Sequence, residues 1–208
     1  MIQIKDNCYK GTRILLGNEK RTMINHMSSW LIDLGYQEIS FPIIQQAAVF
    51  DNKVGDENTK MMYNFTDQGK RALCLAPEYT APTQLLNKRF KYEKDVKLFY
   101  IQECFRGERP QAGRFRQFTQ LGVEVLNPEN TTLDNLARIA WGLLELYGGH
   151  KGFKINRDVT RGLDYYKDGK GFEIVLPELG NAKQICGGGE YEGGIGFAIG
   201  IDRLIKIG

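Results

Sequence analysis

The chain has 208 residues, 42% of them hydrophobic, which is enough to bury one core but short for two full domains. Its 28 Lys and Arg against 25 Asp and Glu leave a net charge of +3, too mild to identify a nucleic-acid binder by composition. Cys8, Cys74, Cys104 and Cys186 stand apart with only His26 and His150 to join them, and no run approaches the roughly 18 apolar residues of a bilayer span; a soluble cytoplasmic protein is expected, with no metal site and no membrane partner.

From Asn18 to Leu34, apolar residues Met23, Ile24, Met27, Trp30, Leu31 and Leu34 share one helical face, with Asn18 as N-cap and Gly35 as stop. YQEISFPII (36–44) predicts a strand, and the polar VFDNKVGDENTKMM (49–62) a loop that could serve as a lid. MYNFTDQGKRALCLAP (62–77) has the form of two short strands around Gln68 and Gly69, and a short helix is expected over 82–90. KLFYIQECFR (97–106) and RFRQFTQLGVEVL (114–126) predict a long hairpin joined by GERPQAG. A second amphipathic helix runs from Thr132 to Tyr147 and stops at Gly148 and Gly149. FKINRDV and GFEIVL predict strands, and Gly196 to Ile207 a closing helix whose Gly196 and Gly200 let it lie close to a sheet. Helices interspersed with hairpins favour an α+β fold, a mostly antiparallel sheet flanked by helices, as one domain over 1–208.

The segment 115–125 is the most informative. Alternation sends Leu121, Val123 and Val125 into a core, while Arg116, Phe118, Gln120, Gly122 and Glu124 share the other face. That set suits a ligand floor, with Gly122 leaving room above the backbone. Arg106, Arg109, Arg114 and Arg116 cluster nearby and ask for phosphates. GGIGFAIG fails as a dinucleotide fingerprint because no acidic residue follows about twenty positions later, and GGGEYEGG lacks the ending of a P-loop.

CFRGERPQAGRFRQF resembles the second signature motif of class II aminoacyl-tRNA synthetases, in a form close to that of histidyl-tRNA synthetases. KGTR, LGYQEISFPII, LAPEYTAP, RGLDYY, GGGEYEGG and GFAIGIDRL follow the same family's order. The resemblance implies a class II catalytic fold, a homodimer formed around the first helix and YQEISFP, and the substrates histidine and ATP, with Mg2+ on the departing pyrophosphate. It implies that Arg106 and Arg161 hold the α-phosphate and, with Gln120, carry catalysis, the two arginines also reaching the amino acid. Glu108, Phe118 and Arg203 would hold adenine, and Arg114 the tail phosphates. Glu78, Thr80 and Gln120 would bind the α-amino end, and Glu124 with Tyr165, Tyr166 and Tyr191 the imidazole pocket. Arg109 and Gln111 would read the extra guanylate at the acceptor end of histidine tRNA.

Departures accompany the likeness. Ala76 and Tyr79 stand where the family has Arg and Gly, so Tyr79 is expected to narrow the amino-group site, and Glu190 replaces an Arg and is expected to reverse a charge near the ligand. The family's insertion and anticodon-binding domain are not found in the sequence, which makes a separate tRNA-binding protein a further candidate partner. Three functions stay open: histidine activation with transfer to tRNA, activation with another acceptor, and a histidine-sensing regulatory paralogue.

Overall fold

Met23, Met27 and Leu31 recur one turn apart and are buried, which draws Glu19–Asp33 into helix α1 against the core. In the computed structural model, which describes residues 9–51, 53–109, 114–148, 152–160, 163 and 165–207, this helix ends at Gly35, whose φ of 82 lets its N–H return to the Ile32 carbonyl. Asn18 occupies the N-cap position without a side-chain cap bond.

The expected single strand over 36–44 is divided. β1 (Gln37–Glu38) and β2 (Ile44–Gln46) belong to different sheets, because Pro42 has no N–H for a ladder. Between them, the Gln102 amide clamps the Phe41 backbone, accepting from its N–H at 2.7 Å and donating to its carbonyl at 2.6 Å. The expected loop over 49–62 contains helix α2 (Gly55–Lys60), anchored at its start by buried Phe50 and Val54. Strands β3 (Asn64–Thr66) and β4 (Ala72–Leu75) form the expected hairpin and, with β2, a small sheet ordered β2-β4-β3. Helix α3 (Thr80–Gln84) follows, shorter than expected because the chain tightens into a 3-10 turn at Leu85–Lys88.

β5 (Val96–Phe105) and β6 (Gln117–Leu126) pair along their whole length, and helix α4 (Leu133–Gly148) lies where its period placed it. The remaining chain forms β7 (Lys154–Val159), β8 (Tyr166–Val175), β9 (Gln184–Tyr191), β10 (Gly194–Gly200) and α5 (Ile201–Ile207). The main sheet runs β1-β5-β6-β10-β9-β8-β7, antiparallel except for β1 against β5. Gly196 to Gly200, expected as helix, is therefore strand. Ile195, Phe197 and Ile199 alternate with Gly194, Gly196 and Ala198, so the period is two, and on the glycine face the only side chain from Gly194 to Gly200 is the Ala198 methyl.

Helices α1, α4 and α5 cover one sheet face, where Leu121, Val123 and Val125 meet Met27, Leu143 and Leu204. The other face carries α3 and the small sheet. On that face Gly122 does not leave room for a ligand: a methyl group there would stand 2.0 Å from Tyr100 Cζ, so the space is filled by the Tyr100 ring. We expect Gly122→Ala to lower stability by about 1–3 kcal/mol, the usual cost of overfilling a packed site, as read by urea denaturation. An unchanged midpoint would mean that the Tyr100 ring can vacate this space.

Candidate active site

The floor of the main cavity, about 670 Å³, is the sheet face opposite the helices. Phe118 and Gln120 rise from β6, Glu173 from β8, and the small residues Gly187, Ala198 and Gly200 keep its centre flat. Two ends differ in chemistry.

At one end Arg106, Arg114 and Arg203 meet Glu108 and Phe118, with exposed Arg109 at the rim. Arg106 donates from Nε to the Pro77 carbonyl at 2.8 Å, and its guanidinium carbon lies 5.2 Å from the Phe118 ring centre. Arg114 Nη1 is 3.8 Å from Glu108 Oε2. Arg203 donates to the Gln184 carbonyl; burial, then the charges of Arg114 and Arg106, weaken its hold on its proton, while Glu108 opposes them. A guanidinium stays charged under such a shift. The end is a cationic cradle beside one aromatic face.

At the other end two carboxylates are buried. Glu78 accepts from the backbone N–H groups of Thr80 at 2.7 Å and Ala81 at 3.0 Å, at the start of α3, and from the Tyr165 hydroxyl at 3.1 Å. Burial nonetheless raises its pKa. Glu124 is fully buried and accepts from Thr80 Oγ1 at 2.6 Å and the Tyr191 hydroxyl at 2.8 Å. Its side chain lies flat over Gly196, its cross-strand partner, where a methyl group would stand 1.8 Å from Glu124 Oε2. The rings of Tyr165, Tyr166 and Tyr191 lie 4.6 to 6.3 Å apart around this pair, and burial raises the Tyr165 and Tyr191 hydroxyls well above the usual phenol value.

Eleven residues singled out from the sequence therefore line one cavity, from Glu78 and Thr80 through Arg106, Gln120 and Tyr166 to Arg203. Glu124 and Tyr191 do not: they lie behind Thr80 rather than on the wall. Arg161 and Gln111 lie outside the described residues. Two expectations are corrected. Tyr79 does not narrow the cavity, because it is buried away from it, stacked 5.6 Å from Phe41 with its hydroxyl donating to the Glu103 carbonyl, and Ala76 joins the same apolar cluster. Glu190 pairs in register with Ile195, which faces the helices, so its charge falls on the opposite side of the sheet, where it meets Lys167. Residues given no role in the sequence also gather here: Asp202, Glu173 and Lys183 line the cavity, and Arg13 of KGTR binds Asp202. The only available signal for Asp202 was its position beside Arg203. Among the described residues no group of three or more His, Cys, Asp or Glu side chains could hold a metal ion, and no helix is long and apolar enough to cross a membrane.

The fold is that of the class II aminoacyl-tRNA synthetases. Apo S. aureus histidyl-tRNA synthetase matches all of this chain and 70% of its own with a TM-score of 0.76 and 26% identity. A Bacillus halodurans C structure described as an ATP phosphoribosyltransferase regulatory subunit/histidyl-tRNA synthetase has the same TM-score at 15% identity, a likeness of fold alone. A family model for histidyl-tRNA synthetase matches residues 17–135, and the chain belongs to that family. The histidine–tRNA ligase of Methanosarcina acetivorans is 28% identical over 308 residues, covering 95% of this chain and 74% of the relative. That alignment is longer than the 208-residue chain, so the relative carries internal segments that this chain lacks. The Desulfitobacterium hafniense enzyme, also 28% identical, is matched over 83% of this chain and 66% of its own length.

Burial pushes the Glu124 carboxyl from its ordinary 4.5 up to about 8, against the lowering effect of its Thr80 and Tyr191 bonds. The folded protein thus keeps a proton that the unfolded chain loses, and the stability present below pH 4.5 declines as pH rises towards 8. Thermal scans at pH 5 and pH 8 should show a larger fall in Tm for wild type than for Glu124→Gln, by about 2–4 °C for each kcal/mol of linkage. Equal slopes would place the titration on another group, Glu78 being the first to test.

Proposed function

We propose that this chain activates histidine with ATP and passes the histidyl group to the acceptor end of histidine tRNA, acting as a catalytic unit of the histidine–tRNA ligase kind. The observation that carries this reading is the make-up of one cavity, which is lined by Arg106, Arg114, Arg203 and the Phe118 ring and also by the buried Glu78 carboxylate with Tyr165 and Tyr166. A triphosphate fits the first and a cationic amino acid the second.

In the reaction the histidine carboxylate attacks the α-phosphorus of ATP, an acyl–phosphate bond forms and pyrophosphate leaves. Two anions must meet, so positioning and fixed cations supply the rate. Arg106, with Arg161, would hold the α-phosphate and the carboxylate, for which a planar two-pronged donor is apt. Phe118 and Arg203 would enclose adenine, Glu108 would accept from its amino group, and Arg114 would take the tail phosphates. Magnesium would arrive on the triphosphate as part of the substrate.

Glu78, Thr80 and Gln120 would receive the α-amino group, whose charge offsets the cost of a buried carboxylate. The imidazole would lie towards Tyr165 and Tyr166, reached by Glu124 and Tyr191 once Thr80 exchanges its bond for the ligand. A site left with unpaired polar groups rejects apolar side chains by roughly 10⁴ or more. A histidine sensor would need only this second end, and the arginine cradle beside it favours activation. Arg109 at the rim, with Gln111, would meet the tRNA end.

Histidine-dependent exchange of labelled pyrophosphate into ATP tests the reading directly. Arg106→Ala and Arg161→Ala should each slow exchange by about 10²-fold or more. Near-normal exchange in both variants would remove the phosphate assignment. Charging of an acceptor minihelix should then depend on the extra guanylate, and Arg109→Ala or Gln111→Ala should erase that preference at about 1–3 kcal/mol per lost base contact. Exchange without charging would point to another acceptor. The same reading includes a homodimer, supported by Ile32, Ile43 and Ile44, which are 56%, 41% and 54% exposed on and after α1. Sedimentation at micromolar concentration should give a dimer, and an active monomer would contradict it.

A further inference from the structure

We propose that Arg13 is a positioning residue that holds the two walls of the nucleotide end of the cavity in register. This rests on the nucleotide reading above and deepens it. Arg13 is absent from the cavity wall, yet it touches Asp202 of α5 and Phe115, just ahead of β6, and both of these line the cavity. Its Nη2 donates to Asp202 Oδ1 at 2.9 Å and to the Asp202 carbonyl at 3.2 Å. Its guanidinium carbon also lies 4.0 Å from the centre of the Phe115 ring. Asp202 is 4% exposed, and its other carboxylate oxygen accepts from the backbone N–H of Thr119 in β6, while Lys20 of α1 stands 3.8 Å from Oδ1.

Each residue so held is the chain neighbour of one that faces the nucleotide end. Asp202 precedes Arg203, Phe115 follows Arg114, and Thr119 follows Phe118. Adjacent Cα atoms are a fixed 3.8 Å apart, so a shift in one of each pair moves the other. The strap around Arg13 is itself laid on the same hairpin arm: the Gly11 carbonyl accepts from the Arg116 N–H at 2.7 Å, the Lys10 carbonyl accepts from Arg116 Nη1 at 3.2 Å, and Arg116 stands over the Tyr9 ring. The start of α5 and the segment leading into β6 are thereby joined through one guanidinium from a third, distant segment, while Asp202 itself bonds β6 at Thr119.

The geometry uses what is particular to arginine. One planar group bonds a carboxylate and a carbonyl while its face stacks on an aromatic ring, which an ammonium cannot reproduce. Misplacement of about 1 Å at a reacting site costs as much as 10²-fold, so loss of this tie should be felt by the nucleotide. The histidine end is built from α3, β8, β9 and the middle of β6, none of which Arg13 touches.

The test is calorimetric titration of the full chain with ATP and, separately, with histidine, for wild type, Arg13→Ala, Arg13→Lys and Asp202→Asn. ATP affinity should fall about tenfold or more in Arg13→Ala while histidine affinity stays within about twofold, and Arg13→Lys should fall between. Asp202→Asn should weaken ATP in the same direction. Unchanged ATP affinity in Arg13→Ala, or ATP and histidine weakened together, would overturn the inference, the second because it marks a general structural role. If Arg13→Ala does not fold, as read by circular dichroism, Arg13→Lys and Asp202→Asn decide the matter by the same split between ligands. Failure of wild type to bind ATP would defeat the nucleotide reading and this inference with it, whereas wild-type binding that the variants retain defeats this inference alone.

Discussion

The burial of Glu124 on a sheet face, with hydroxyl groups rather than a cation to receive it, is the constraint around which the site is built. A lone buried carboxylate costs several kcal/mol or shifts its titration. Here both responses are visible: Thr80 and Tyr191 each donate to it, and burial still raises its pKa. The side chain needs a flat bed, and Gly196 supplies one because any Cβ there would occupy the space of the carboxylate oxygen. Thr80 must also sit at the first turn of α3, the same turn whose N–H groups hold Glu78. One carboxylate thus sets a glycine, a helix start and a tyrosine.

The opposite end of the cavity solves a different electrostatic problem. Arg106, Arg114 and Arg203 repel one another, and Glu108 weighs against burial in the Arg203 balance. Such a cluster is stable while its members are tied to neutral or backbone partners, as Arg106 is to the Pro77 carbonyl and Arg203 to that of Gln184. Arg106 reaches towards both ends, since the carbonyl it binds belongs to Pro77, the neighbour of Glu78, and its charge opposes the upward effect of burial on the Glu78 carboxyl.

Helices α1 and α4 and the β5–β6 hairpin were legible because each shows its period without interruption over many residues. The alternation in 115–125 also named both faces of β6 correctly. The failures have local causes. GFAIG, from Gly196 to Gly200, reads as the start of a helix when its two glycines are counted a turn apart, yet the alternating Ile195, Phe197 and Ile199 decide for a strand once a neighbouring sheet face is available. QICGGGEY (184–191) shows no period, since its glycines carry no pattern. Gly122 reads as open because the strand alone cannot reveal that Tyr100 from β5 lies across it. The motifs that hold Tyr79 and Glu190 imply places near the ligand, but the turn before α3 and the register of β9 send both elsewhere.

The sequence by itself determined the class of fold, the long elements and the residue types of the cavity, because periodicity and the arginine, glutamate and tyrosine motifs are local properties of the chain. Tertiary structure alone decided which of those side chains reach open space and which are sealed behind others. Thr80 lies between the cavity and Glu124, the sheet register turns Glu190 away, and Arg13 meets Asp202 across 189 positions of sequence. Such contacts join segments whose separation carries no sequence pattern, so their geometry exists only once the sheet has closed.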